Sequence, residues 1–356
     1  MTALDVSSAF DAAPVDPLRR FWRTARGFWQ GSRAWALIVL LVGCVILQIA
    51  VQYRLNIWNR DFFDALEARN GGQIWHQARL LVLFAAASVC LAVMAVWGRM
   101  TFQRSWRDWL TARLITSWLA DQHYQRMGFV NGQRSNAEYR ITEDARLATD
   151  APIDLAVGLL SSVLVAGTFV TVLWNVGGSL EVSVWQGTLT IPGYLVIASI
   201  LYSAITTFGM TAIGHNMVDV IEYKNQAEAD FKYVVARVNT RTTLEPHVED
   251  ASNLASAQET VIQQWRRLCG QHMRTTIVSH GNNLLAPIIG LILSAPNYVM
   301  GSVTLGEVTQ AAAAFVAVQG AFNWVVDNYP RLAEWRSSAN RVGILLDSFD
   351  RLDRRE

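Results

Sequence analysis

The sequence predicts an all-α integral membrane protein with six transmembrane helices, on three observations. Long stretches carry no Asp, Glu, Lys or Arg, each such stretch is near the ~20 residues that take a helix across ~30 Å of hydrocarbon, and Lys and Arg crowd into alternate connections. Of 356 residues, 52% are hydrophobic and only 17% charged, below the roughly one quarter typical of a soluble domain. A net charge of +1 gives no basic field for nucleic acid, so the charges matter through their placement. The three cysteines, Cys44, Cys90 and Cys269, are too few and too scattered for a disulfide framework or a CxxC metal site, and are expected to be small buried hydrophobes.

Residues 1–17 are acidic and polar and have no apolar stretch of the kind a signal peptide needs. Then Leu18, Phe21, Trp22, Ala25, Phe28 and Trp29 recur at helical spacing, with Arg19, Arg20, Arg23, Arg26 and Arg33 on the rest of the wheel. This is an amphipathic basic helix suited to an anionic headgroup layer, within a cytoplasmic segment 1–33. The spans follow at 34–51, 80–98, 155–174, 191–213, 277–300 and 308–326. Trp35, Tyr53, Trp97, Trp174, Tyr194, Tyr298, Trp324 and Tyr329 stand near their ends as interfacial anchors.

Orientation follows from Lys and Arg. There are five in the N-terminal segment, eight in 99–152, seven in 214–276 and six in the tail, against four in 52–79 and none in 175–190 or 294–306. The positive-inside rule places both termini and both long connections in the cytoplasm. Those connections are periodic and poor in Gly and Pro, which predicts that helices 2, 3, 4 and 5 extend out of the bilayer; about 25 residues would reach roughly 35–40 Å. Their turns are expected at Gly128 to Ser135 and around Pro246. No GxGxxG after a strand, no HExxH and no internal repeat is found, and no Asp pair lies within a span, so an intramembrane enzyme is not expected.

Four stretches carry a family resemblance. They are Leu55-Asn56 and Trp58-Asn59-Arg60-Asp61-Phe62-Phe63-Asp64-Ala65-Leu66 after the first span, Asn136-Ala137-Glu138-Tyr139-Arg140-Ile141-Thr142-Glu143-Asp144, Asn225-Gln226-Ala227-Glu228-Ala229-Asp230-Phe231, and the last helix from Leu305-Gly306-Glu307 through Asp327-Asn328-Tyr329-Pro330-Arg331 to Trp335-Arg336. In order along nearly the whole chain, they resemble the transmembrane domain of the SbmA/BacA-like and peroxisomal (ABCD-type) group of ABC transporters. The resemblance implies six helices in the type IV ABC exporter arrangement, homodimers, and transport of peptides, cobalamin-like compounds or acyl groups. It also implies domain-swapped cytoplasmic loops whose turns, near 126–140 and 240–252, would touch nucleotide-binding domains.

Two departures qualify it. A P-loop needs Gly immediately before Lys, and the only lysines, Lys224 and Lys232, follow Tyr223 and Phe231. The expectation is therefore no ATPase domain, no ATP site and no cofactor, with residues 34–336 as the membrane domain and 337–356 as a cytoplasmic tail. Where relatives carry a short Asn-x-Glu-x-Ile-Ala-like stretch, this chain reads Asn239-Thr240-Arg241-Thr242-Thr243-Leu244-Glu245-Pro246. Together these suggest a bacterial inner-membrane permease that is proton-driven, or one served by a separately encoded nucleotide-binding subunit. The alternative is a non-transporting remnant or regulatory membrane protein.

Proton coupling would need acids at the ends of the spans, because the spans hold none. The candidates are Glu138 and Glu143 in the first long connection, Glu222, Glu228 and Asp230 beyond the fourth span, and Glu307 at the outer end of the sixth. A carboxyl facing a partly dehydrated cavity has its pKa raised toward neutrality; the commoner reading of each is a solvated face or an ion pair. For a substrate path the candidates are Gln48 and Gln52, Asn282 and Asn283, and Gln310, Gln319 and Asn323, since amides in hydrocarbon must face protein or a water-filled cavity. Interhelical hydrogen bonds are the rival reading. The run Ala311 to Ala314 is expected to be a close-packing face, and His215 and His280 to be structural, with no metal site.

Overall fold

The computed structural model describes residues 16–120, 123–124, 137–184, 187–214, 216–240 and 248–353. Among the described residues, eight α-helices longer than one turn and one hairpin follow in chain order: α1 Pro17–Ala25, α2 Ser32–Glu67, α3 Gly71–Leu119, α4 Ala145–Gly177, β1 Ser179–Val184, β2 Gly187–Pro192, α5 Tyr194–Gly214, α6 Met217–Thr240, α7 Val248–Val299 and α8 Leu305–Asp353. A π-helical turn, Arg140–Asp144, leads into α4. At 49 to 52 residues, α3, α7 and α8 are about 75 Å long, far more than the ~30 Å of hydrocarbon. The long helical extensions are thus present; the fourth span and its extension are described as two helices, α5 and α6.

Five helical stretches are long and apolar enough to cross a membrane: Ser32–Glu67, Gly71–Leu119, Ala137–Gly177, Tyr194–Arg237 and Ala251–Val299. The described residues therefore form a predominantly helical, multi-pass membrane protein. α8, the expected sixth span, is absent from these because Gln310, Gln319 and Asn323 dilute its apolar run. One local correction concerns the connection before the fourth helix. Ser179–Val184 and Gly187–Pro192 form an antiparallel ladder with Ser179 opposite Pro192 and Val184 opposite Gly187, so this connection within the otherwise α-helical fold is a hairpin and the helix begins at Tyr194 rather than 191. The alternation of Leu180, Val182 and Val184 is a period-2 pattern, which a helix cannot use. Gly178 (φ +60°) and Gly193 (φ +61°) close the hairpin in the left-handed region, joined by Gly193 N–H donating to the Gly178 carbonyl at 3.1 Å.

The chain divides into two compact units, one holding residues up to Phe169 and from Gly320 onward, the other Val170–Gln319. In the first, α2 and α3 pack along their length: Gly98 lets Leu40 and Leu41 approach, Gln48 Nε2 donates to Ser88 Oγ at 2.8 Å, and Trp58 Nε1 donates to the Gln77 carbonyl at 2.8 Å. The aromatic face of α1, expected to lie among headgroups, packs on protein. Phe21 and Ala25 are fully buried in a cluster with Phe102, Trp106, Leu110, Val342 and Leu345, and Arg20 pairs with Asp350. Phe28 stacks on Trp106 with ring centroids 6.1 Å apart. Trp22, Arg19, Arg23 and Arg26 keep the outer side exposed. The tight turn after α2 places Arg69 at φ +52°, with Asn70 N–H reaching the Ala65 carbonyl and Arg69 N–H the Leu66 carbonyl.

In the second unit α7 ends in the same hydrogen-bond pattern, this time with Gly301 at φ +74°. α7 and α8 meet where Gly290 lies against Ala312 and Phe315; Ala311, Ala312 and Ala314 are buried, so the alanine run is a packing face. Asn297 Nδ2 donates to the Gly177 carbonyl at 3.0 Å, and Tyr194 Oη to the Leu293 carbonyl at 2.8 Å. Cys44 is buried, but Cys90 and Cys269 are exposed, which corrects the expectation that all three are buried hydrophobes. On an apolar span, exposure of Cys90 means contact with lipid or another protein surface rather than water.

Candidate functional site

Among the span amides, two are brought together. Gln319 Nε2 on α8 donates to Asn282 Oδ1 on α7 at 2.7 Å, and both side chains are buried. The local sequence explains the placement. Thr304 and Glu307 form a capping box in which Glu307 Oε2 accepts from Thr304 N–H at 2.9 Å and Thr304 Oγ1 accepts from Glu307 N–H at 3.1 Å. That fixes the start of α8, and the small-residue contact at Gly290 and Ala312 lets the two helices come close enough for short amide side chains to meet. Gln310 is buried on the same helix. Asn323 is half-buried and Asn283 exposed, so neither joins the pair; Gln48 is committed to Ser88, and Gln52 is half-buried.

The acids fall into a different pattern. Glu307 is the capping residue just described. Glu143 lies before the apolar run 155–174 and pairs with Arg146, whose guanidinium donates to Glu143 Oε2 at 3.2 Å and holds that carboxyl below its ordinary range. Glu228, beyond the fourth span, pairs with Lys224 at 3.0 Å and accepts from Trp265 Nε1 at 3.3 Å, and its carboxyl is likewise held low, chiefly by Lys224. Lys224 also sits 5.0 Å from the centroid of the Trp265 ring. Glu138, Glu222 and Asp230 are exposed. Carboxyls held low, as those of Glu143 and Glu228 are, behave opposite to a desolvated proton carrier, whose pKa must rise. His280 is exposed, and His215 and the turns expected at Gly128 to Ser135 and around Pro246 lie outside the described residues.

Sequence reasoning missed a network in the first unit. Asp154, largely buried at the N-terminal border of the run 155–174, accepts from Gln103 Nε2 at 2.8 Å and Arg331 Nη2 at 2.8 Å, and lies 3.4 Å from Arg99 Nε. One helical stretch earlier, the fully buried Asp144 takes two bonds from Arg341, at 2.8 and 2.6 Å. Ser338 and Ser337 also accept from Arg341 at 2.9 and 2.6 Å. Asp144 keeps the Arg341 guanidinium firmly protonated, its pKa raised mainly by that hydrogen bond. Between them Trp335 Nε1 donates to the Ala148 carbonyl at 3.3 Å, and Gly158 leaves room for the Trp324 ring. The signal was available: Asp144 and Asp154 are ten residues apart, as are Arg331 and Arg341, matched spacings for two antiparallel helices.

Known proteins agree with this architecture. The family described as ABC transporter transmembrane region 2 matches residues 29–299. The inner membrane ABC transporter ATP-binding protein YddA of Escherichia coli is 24% identical over 88% of this chain and 58% of its own length. An uncharacterized ABC transporter ATP-binding protein of Haemophilus influenzae is 22% identical over 94% of this chain and 58% of its own. The chloroplastic ABC transporter D family member 2 of Arabidopsis thaliana is 22% identical over 93% of this chain and 46% of its own. The chain thus spans about half the length of these relatives. Apolar helices of spanning length and a match over most of the sequence agree: the chain belongs to the ABC transporter transmembrane region 2 family, as an ABCD-type membrane domain.

Proposed function

We propose that this chain forms the six-span membrane half of an ABC transporter of type IV exporter arrangement, acting as a homodimer in a bacterial inner membrane with both termini cytoplasmic. It moves peptides or related amphipathic solutes by alternating access. The observation that carries this reading is the buried Asn282–Gln319 pair, with Gln310 one helical stretch away. Neutral amides inside an apolar run are costly unless partnered, and they offer the donors and acceptors that peptide groups match. α8 is read as the sixth span because its polar side chains point at protein, which lowers its average hydropathy without exposing the amides to lipid. The resemblance to the SbmA/BacA-like group supports peptides as cargo.

ATP hydrolysed by a nucleotide-binding domain, joined to this membrane domain or encoded apart, is the energy source favoured here. The Escherichia coli and Haemophilus influenzae relatives are named as ATP-binding proteins, and the acids proposed for proton coupling are capping, ion-paired or exposed. The chain itself contributes no ATP site and needs no cofactor in this reading. Inverted membrane vesicles, which retain any nucleotide-binding partner, test it with a labelled amphipathic peptide. ATP-dependent accumulation that falls in Gln319→Leu supports the proposal. Uptake driven by an imposed proton gradient without ATP replaces the energy source, and a flat time course under both conditions at several pH values leaves a non-transporting membrane protein.

A further inference from the structure

At the level of the Gln48–Ser88 hydrogen bond that pins α2 to α3, and short of the one at Trp58–Gln77, the helix pair opens a groove of about 430 Å³. Its wall is Leu47, Val51, Phe84 and Leu91, its floor is shallow at Ala50 and Ala87, and Cys90 lies beside it. The concavity has a local cause. Ala50 stands one turn from Leu47 and Arg54, and Ala87 one turn from Phe84 and Leu91, so each helix presents a small residue between bulky ones and leaves a depression there. The lining within the apolar runs 34–51 and 80–98 carries no charge. One charge closes the groove: Arg54, exposed and three residues past the end of the first run, where a guanidinium can snorkel to the headgroup layer. Among the described residues no carboxylate pairs with it.

We propose that this groove binds one acyl chain of an acidic phospholipid, with Arg54 against the lipid phosphate. An apolar channel inside the bilayer ending in a single unpaired cation is complementary to a hydrocarbon tail beneath an anionic head, and to nothing carried by a zwitterionic lipid with equal strength. A peptide would leave its backbone amides unsatisfied along a lining without polar groups. The proposal depends on α2 and α3 spanning the membrane but not on the transported solute.

Phosphatidylglycerol and phosphatidylcholine analogues with a diazirine in one acyl tail provide the test, photolysed with the full chain in nanodiscs and mapped by mass spectrometry. Adducts are expected at residues 47–51 and 84–91, with phosphatidylglycerol exceeding phosphatidylcholine by about five-fold, the size of one basic side chain's attraction to an acidic lipid. Arg54→Gln should erase the difference between the lipids while keeping adducts, and Ala87→Phe should remove adducts from the groove for both. Melting curves that match the parent for both variants show that the helix pair is intact. Equal labelling by the two lipids in the parent, or an unchanged preference in Arg54→Gln, overturns the proposal, as does disulfide cross-linking through Cys90 between copies, which would put protein where lipid is expected. Adducts at exposed apolar positions such as Val82 and Val93, without adducts in the groove, sink the groove and leave the membrane assignment standing; no adducts anywhere sink the membrane assignment itself.

Discussion

Two stretches of α8 hold their neighbours by opposite means. Around Gln319 the contact to α7 is a neutral amide pair set among Gly290, Ala312 and Phe315. From Arg331 to Arg341 the contact to α4 is ionic, with Asp154 and Asp144 clamped by guanidinium groups. The difference tracks the solvent. In hydrocarbon a charge costs far more than an amide, so close packing over small residues does most of the work. Beyond the apolar run, water reaches one partner, Arg341 and Arg331 being part-exposed, and a bidentate ion pair can be held without fully desolvating both ions.

The sharpest way to break this contrast is Arg341→Ala. It strands the fully buried Asp144 carboxylate and should cost about 3–5 kcal/mol, read as a large fall in melting temperature of detergent-purified protein. Asp144→Leu combined with Arg341→Leu should recover most of that loss. A fall of less than about 1 kcal/mol for the single variant would show that the ion pair holds little. On the neutral side, Gly290→Ala places a Cβ against the Ala312 backbone and should cost about 1–3 kcal/mol. The amide pair itself is expected to be weaker: a double-mutant cycle of Asn282→Leu and Gln319→Leu should give a coupling of roughly 0.6–1.7 kcal/mol. Its larger consequence is expected in transport.

Two smaller effects probe the connections. Arg69→Gly removes a side chain held at φ +52° and should stabilise the protein by up to about 1 kcal/mol in a denaturant or thermal titration. For Glu228, a carboxyl held low by Lys224 contributes stability that is present above its unfolded pKa and lost as pH falls through the lower folded value. The melting difference between parent and Glu228→Gln should therefore be greatest near neutrality and vanish in acid. A difference that grows toward acid would reverse the assigned charge state.

Much of the architecture was legible from charge-free run lengths and arginine spacing, because a membrane acts on every residue of a span alike. The hairpin at 179–192 was not, since its six-residue alternation is buried between two apolar runs in a window averaged for helices. The amphipathic pattern of α1 was read correctly as a pattern, but periodicity cannot say whether a greasy face meets lipid or Trp106. Site residues were harder. Gln319 and Asn282 stand out as rare amides in hydrocarbon, whereas Asp144 and Asp154 look like ordinary solvated acids until a second helix, almost two hundred residues away, supplies arginines at the same interval.

Pro330 lies inside α8, immediately before Arg331. Lacking an amide hydrogen, it removes one rung of the helix ladder, so the Val326 carbonyl has no donor four residues on. This makes the point between the apolar stretch and the charged stretch of α8 a place to bend, and the ion pair from Arg331 to Asp154 braces it from outside like a splint on a joint. Releasing that brace would free the rod to flex there without unwinding either half.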